Sequence, residues 1–295
     1  MRHFINTLDL SLAEQDQLLT LAQDIIVAPE KYRDTLRGKV LASLFFEPST
    51  RTRLSFDAAM QRLGGAVIGF SVTDGSSVTK GETLCDTVIM ASQYANAIVM
   101  RHPQAGAAQI AAEVASVPII NAGDGGREHP TQTLGDLLTI KQRLGRLDNF
   151  TIGCCNDLKY GRTVHSLVRN LARYPNVHFV LISRQDLALP QEYRDYLASL
   201  GVPFTETSDL AAAVNELDVL YMTRTQRERL NGETSEPYTL TPQMLANVQD
   251  KLILMHPLPR NEELPPDLDN DPRACYFEQA RCGMYMRMAL LKMLI

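Results

Sequence analysis

Short, continuous apolar runs alternate with segments of helical spacing almost throughout this chain, and nothing else in the sequence restricts its fold as strongly. "VLASLFF" (40–46) precedes a helical pattern from Thr52 to Leu63. "AVIGF" (66–70) precedes another from Gly81 to about Tyr94, and "AIVM" (97–100) an alanine-rich one from Ala105 to Ala115. "VPIINA" (117–122) closes the first series. A second series contains "FTIGCC" (150–155), a helix from Arg162 to about Arg173, "VHFVLI" (177–182), a helix near Gln191 to Leu200, "VLYM" and "LILM". A strand that is apolar at successive positions is buried on both faces, as happens in a parallel sheet between two helix layers. The pattern predicts an α/β protein of two doubly wound domains, each with a central parallel sheet. The helix Pro130–Leu144 bridges them, and the last twenty residues, helical in spacing with no strand after them, pack back on the first domain. The expected boundaries are 1–132 plus 277–295, and 133–276.

At 295 residues the chain is long enough for two such domains. No apolar stretch reaches the roughly 18 residues of a membrane span, and the acid-bearing, amphipathic start resembles no signal or transit peptide. Five scattered cysteines without C-x-x-C spacing suit a reduced, cytoplasmic interior better than disulfides or structural zinc. A net charge of −5 argues against broad nucleic-acid binding, so any anion site is a local concentration of arginine on an acidic protein.

Those arginines stand at strand ends. In open α/β sheets ligands sit at the carboxyl ends of strands, where helix N-termini converge. After "VLASLFF" comes Pro48-Ser49-Thr50-Arg51-Thr52 at the start of a helix. The unsatisfied N–H groups and positive dipole end of that helix, three hydroxyls and the fork of Arg51 together suit a phosphate. A simple helix cap is the plainer reading of an isolated S-T-R-T. Similar clusters nevertheless recur: Arg101-His102 after "AIVM", His129 and Gln132 on one face of the next helix start, and Arg162 opening another. Arg224 and Gln226 follow "VLYM", and "HPLPR" follows "LILM". Together they predict a polyanion-binding cleft between two domains.

The motifs "FEPSTRT", "SSVTKGET", "MRHPQ", "GDGGREHPTQTLGD", "DLKYGRTVHSL", "DVLYMTR" and "HPLPR", in this order and over nearly the whole chain, resemble the aspartate carbamoyltransferase family, within the transcarbamylase superfamily. Ornithine carbamoyltransferases resemble "HPCQ" and "HCLP" at the matching places and carry a serine-methionine-glycine loop where this chain has "MTRTQ". Arg224 suits an acceptor with a second carboxylate and would repel the ammonium group of ornithine.

The resemblance implies transfer of the carbamoyl group of carbamoyl phosphate to the α-amine of L-aspartate, in pyrimidine biosynthesis, by direct attack and without metal or cofactor. It implies that Ser49, Thr50, Arg51 and Thr52 hold the phosphate. Thr52, Arg101 and His129 then face the carbamoyl oxygen. Gln132 and the backbone carbonyls of Leu258 and Pro259 take the carbamoyl NH2. Arg162, Arg224 and Gln226 hold the two aspartate carboxylates. Ser76 and Lys80 reach the site of a neighbouring subunit, which implies a homotrimer with shared sites, and regulatory chains or multienzyme partners are compatible with it. A transcarbamylase with another acceptor, such as ornithine, and a non-catalytic relative are the rival readings. Asn156 departs from the family's usual glycine and bears on aspartate affinity, while Cys154 and Cys155 read as packing residues.

Overall fold

The computed structural model describes residues 2–71, 81–226 and 236–295. The chain forms two compact units, Met1–Gly135 with Arg281–Ile295, and Asp136–Ala280.

The first unit carries the strands β1 (Val40–Phe45), β2 (Ala66–Ser71), β3 (Ala97–His102) and β4 (Ile119–Asp124), in the order β2-β1-β3-β4. Every pairing in it is parallel, as the apolar runs predict. The helices α1 (Leu12–Val27), α2 (Thr50–Arg62), α3 (Leu84–Ser92) and α4 (Ala107–Val114) accompany the strands. Helix α1 opens on a reciprocal capping box, in which Ser11 and Glu14 each accept from the other's backbone N–H. On one side of the sheet, Ala42, Leu44, Ile98, Met100 and Ile119 form a core with Val88 of α3 and Ala107, Ala108 and Ala111 of α4. Alanine at those three positions keeps the helix close to the strands. Gly69 is required by a similar closeness, because a Cβ there would lie 2.0 Å from the carbonyl oxygen of Ser43.

The second unit carries β5 (Phe150–Cys155), β6 (Val177–Ile182), β7 (Phe204–Thr207), β8 (Val219–Met222) and β9 (Ile253–Met255), in the order β7-β6-β5-β8-β9. These pairings are parallel too. Its helices include α6 (Arg162–Leu171), α7 (Gln191–Ser199), α8 (Leu210–Ala213) and α9 (Pro242–Leu245). Strand β7 is not among the strands that the sequence predicts. It is a four-residue edge strand, "FTET", whose polar positions carry no continuous apolar run.

Two long helices belong to both units along the chain. Helix α5 (Pro130–Leu144) starts in the first and ends in the second, and α10 (Tyr276–Leu294) does the reverse. The carboxyl half of α10 packs back on the first unit, as expected. Gly135 and Gly283 lie so close that a Cβ on Gly135 would sit 2.8 Å from the Cα of Gly283. One turn on, the Arg287 guanidinium donates to Ser55 Oγ at 2.6 Å and lies over the Phe56 ring.

Candidate active site

In each sheet the strand order reverses once: after β2 the chain crosses β1 to form β3, and after β7 it crosses β5 to form β8. Such switch points leave a crevice at the carboxyl ends of the two strands concerned. Ser49–Thr52 and Arg101 follow β1 and β3, and Arg162 and Arg224–Gln226 follow β5 and β8.

In the first unit, β1 and β3 are neighbours in register, with Phe45 beside Arg101. The pairing continues past the strand, since Phe46 N–H donates to the carbonyl of Arg101 at 2.9 Å. The chain then turns through Glu47 and Pro48 into α2. Ser49 is the N-cap of α2, yet its side chain makes no capping bond, so a plain cap does not account for the hydroxyl. Thr52 is buried in the first turn, whereas Thr50 and Arg51 are exposed. The Arg101 side chain is already held: its Nε donates to Glu47 Oε1 at 2.7 Å. Nothing in the sequence singles out Glu47, an acid between β1 and the S-T-R-T helix start. His129 and Gln132 begin α5 after β4, and Gln132 N–H donates to the His129 carbonyl. The ring of His129 is buried, its Nδ1 3.5 Å from Thr131 Oγ1.

In the second unit, the loop after β5 and the chain after β8 are bound together. Thr223 donates through both its backbone N–H and its hydroxyl to the Cys155 carbonyl, at 3.1 and 2.9 Å. The fully buried carboxylate of Asp157 accepts from Tyr160 N–H and from Gln226 N–H, at 2.9 and 3.0 Å. The Tyr160 carbonyl in turn accepts from Arg162 N–H and from Gln226 Nε2. Arg162, at the N-terminus of α6, and the segment Arg224–Gln226 are therefore brought onto one turn. Asp157 is a residue that sequence reasoning passed over, although it lies inside "DLKYGRT".

The "HPLPR" turn follows β9. Leu258 lies at φ 55° and the Leu258–Pro259 bond is cis. A branched residue at positive φ is costly, and such residues cluster at binding sites. His256 fixes the turn from within: Nδ1 accepts from Leu258 N–H at 2.8 Å, so Nε2 is the donor to Glu263 Oε1 at 3.0 Å. Burial alone would raise the Glu263 carboxyl, but hydrogen bonds from His256 and from Asn261 N–H outweigh it and hold the group below its ordinary 4.5. A buried polar chain runs on from this turn. His256 N–H donates to Gln279 Oε1, Gln279 Nε2 to Asp136 Oδ1, and Tyr221 Oη to Asp136 Oδ2. Burial, reinforced by Asp136, pushes the Tyr221 phenol well up, so it remains a proton donor. No local signal in the sequence marks that network. Ser76 and Lys80 lie outside the described residues.

Two family models divide the chain between them. That of the aspartate/ornithine carbamoyltransferase carbamoyl-P binding domain matches residues 2–142, and that of the Asp/Orn binding domain matches residues 148–294. The aspartate carbamoyltransferase catalytic subunit of Lachnoclostridium phytofermentans is 50% identical, over 100% of this chain and 98% of that subunit. The chain belongs to the aspartate/ornithine carbamoyltransferase family. Among solved structures, aspartate transcarbamoylase from Trypanosoma cruzi in complex with aspartate and phosphate superposes with a TM-score of 0.93 at 41% identity, covering 100% of this chain and 95% of that one. The catalytic subunit of M. jannaschii aspartate transcarbamoylase gives 0.93 at 44% identity, covering 100% and 98%.

Proposed function

We propose that the protein transfers the carbamoyl group of carbamoyl phosphate to L-aspartate, giving N-carbamoyl-L-aspartate and phosphate. The observation that carries the reading is the delivery of the S-T-R-T helix start and of Arg101 to the same edge by two strands paired in register at a switch point. Relatives support it: structures of the Trypanosoma cruzi aspartate transcarbamoylase hold carbamoyl phosphate, aspartate, or carbamoyl aspartate with phosphate.

In this reading the domain of residues 1–132 and 277–295 binds carbamoyl phosphate and that of residues 133–276 binds aspartate. The N–H groups of α2 with Ser49, Thr50, Arg51 and Thr52 hold the phosphate. Arg101, His129 and Thr52 donate to the carbamoyl oxygen. As the aspartate amine attacks the carbon, the C=O π pair moves onto that oxygen, and donors already in place stabilise the charge. The carbamoyl C–O bond then breaks, phosphate departs with the electron pair, and it takes the amine proton. Gln132 and the carbonyls of Leu258 and Pro259 accept from the carbamoyl NH2, which distinguishes nitrogen from oxygen. Glu47 keeps the Arg101 fork oriented before the substrate binds.

Arg162 and Arg224 suit the two carboxylates of aspartate, and the amide of Gln226 has a second N–H for one of them beside the bond to Tyr160. The same cationic environment disfavours ornithine, whose side chain ends in an ammonium. A homotrimer with shared sites, to which Ser76 and Lys80 contribute, belongs to the same reading, and the exposed Ile68, Ile89, Met90, Tyr94 and Ile110 on the first unit are apolar surface that a subunit contact would cover. Reduced, unbridged cysteines support a cytoplasmic location, and among the described residues no helix is long and apolar enough to cross a membrane.

A compound that joins a phosphonate to an aspartate tests the reading by binding alone. N-(phosphonacetyl)-L-aspartate is expected to raise the melting midpoint well beyond phosphonoacetate or L-aspartate separately. A shift no larger than that of phosphonoacetate would remove the aspartate half of the proposal.

A further inference from the structure

Asn156, the first residue after β5, occupies the left-handed region at φ 89° and is buried. Its backbone N–H donates to the Ile182 carbonyl at 3.0 Å, which fixes the turn to β6. Its side chain does something separate. Oδ1 accepts from Tyr238 N–H at 2.6 Å, and Nδ2 donates to the Tyr238 carbonyl at 3.2 Å. One amide thus pairs with both backbone groups of one residue, as a neighbouring strand would. Nearby, Arg184 Nε donates to the Glu236 carbonyl at 2.6 Å, and its guanidinium lies 5.4 Å from the centre of the Tyr238 ring. The very next side chain, Asp157, holds Gln226. Consecutive residues therefore secure two separate stretches, one at Gln226 and one at Tyr238, on the turn that leads into Arg162.

The backbone conformation does not explain an asparagine here. Glycine reaches φ 89° at less cost, and asparagine is merely tolerated there. What asparagine adds is the amide, and the amide is spent on Tyr238. We propose that Asn156 is a positioning residue for the acceptor substrate: it holds the backbone at Tyr238 against the turn that presents Arg162 and Gln226, and so sets the affinity for the dicarboxylate. The proposal rests on the reading of Arg162, Arg224 and Gln226 as the residues that hold aspartate.

The test compares the full-length wild type with Asn156→Gly, which keeps the backbone angle and removes only the amide, and with Tyr238→Phe, which keeps the backbone groups that the amide binds. Asn156→Gly is expected to raise the KM for aspartate about ten-fold, the scale of one or two net hydrogen bonds, while kcat and the KM for carbamoyl phosphate stay close to wild type. Hydrogen exchange at the Tyr238 amide should accelerate, with exchange in β5 and β8 unchanged. Tyr238→Phe should match wild type in every respect. Unchanged exchange at Tyr238 in Asn156→Gly would overturn the tie. Faster exchange with a wild-type KM for aspartate would overturn the positioning role. Parallel losses in kcat, in both KM values and in melting temperature would reduce Asn156 to a structural residue. A wild-type protein inactive towards aspartate would overturn the reading of the site, and the proposal with it, whatever the exchange shows.

Discussion

Arg101, the oxyanion donor of the proposed function, is oriented before any substrate arrives. The Glu47 carboxylate accepts from its Nε, and the backbone beside it is paired with Phe46, so little rotamer freedom is lost on binding. This is how electrostatic catalysis avoids reorganisation at the moment of reaction. Arg101→Ala is expected to lower kcat by about 10²–10³-fold, the scale of a lost oxyanion donor, with folding retained; steady-state rates and a melting curve check it. Arg224→Ala should instead act on the acceptor, raising the KM for aspartate by at least about ten-fold, as loss of a charge-assisted hydrogen bond implies. Saturation curves for each substrate separate the two effects. At this scale the sequence was informative where chemistry is local. Ser49, Arg51, Arg101, His129, Arg162 and Arg224 follow apolar runs, and that position marks them. Glu47, Asn156 and Asp157 were less legible because their roles depend on partners such as Arg101, Tyr238 and Gln226, which lie 54, 82 and 69 positions away.

The turn after β9 shows how an element holds a strained residue. Leu258 at φ 55° is kept there by its N–H bond to His256, and His256 by Glu263. The Glu263 carboxyl is held below its ordinary 4.5. A depressed carboxylate stabilises the fold above its unfolded pKa, and that contribution is lost as pH falls through the lower folded value. Glu263→Gln should therefore denature more easily than wild type at pH 7, by about 1 kcal/mol, and the gap should narrow steadily as the pH falls below about 4.5. Denaturation midpoints of both proteins across that range measure it. A gap independent of pH would show that the charge on Glu263 contributes nothing. Elements were legible where they carry continuous apolar runs, exposed β2 included. The central strands announced themselves as apolar runs, whereas β7 and the four-residue helices α8 and α9 did not, being too short or too polar for periodicity to register.

For the whole molecule, two parallel sheets each with one switch point explain why polar residues scattered over the sequence collect at strand ends. The cysteines are a check on that packing. Burial pushes Cys154 up to about 12 and Cys155 higher still, and Cys275 and Cys282 are buried as well. A thiol reagent at pH 8 should label at most Cys85 in the native protein, and all five cysteines after denaturation. If sites are shared within a homotrimer, a mixture of Lys80→Ala and Arg51→Ala chains should regain activity that neither parent has. A mixture as inactive as its parents would exclude shared sites. The most direct measurement of all is ureido-product formation from carbamoyl phosphate with L-aspartate and with L-ornithine in parallel. Product is expected with aspartate alone. Product with ornithine would leave the phosphate residues their role and contradict the one given to Arg224, and no product with either amine would contradict the account as a whole.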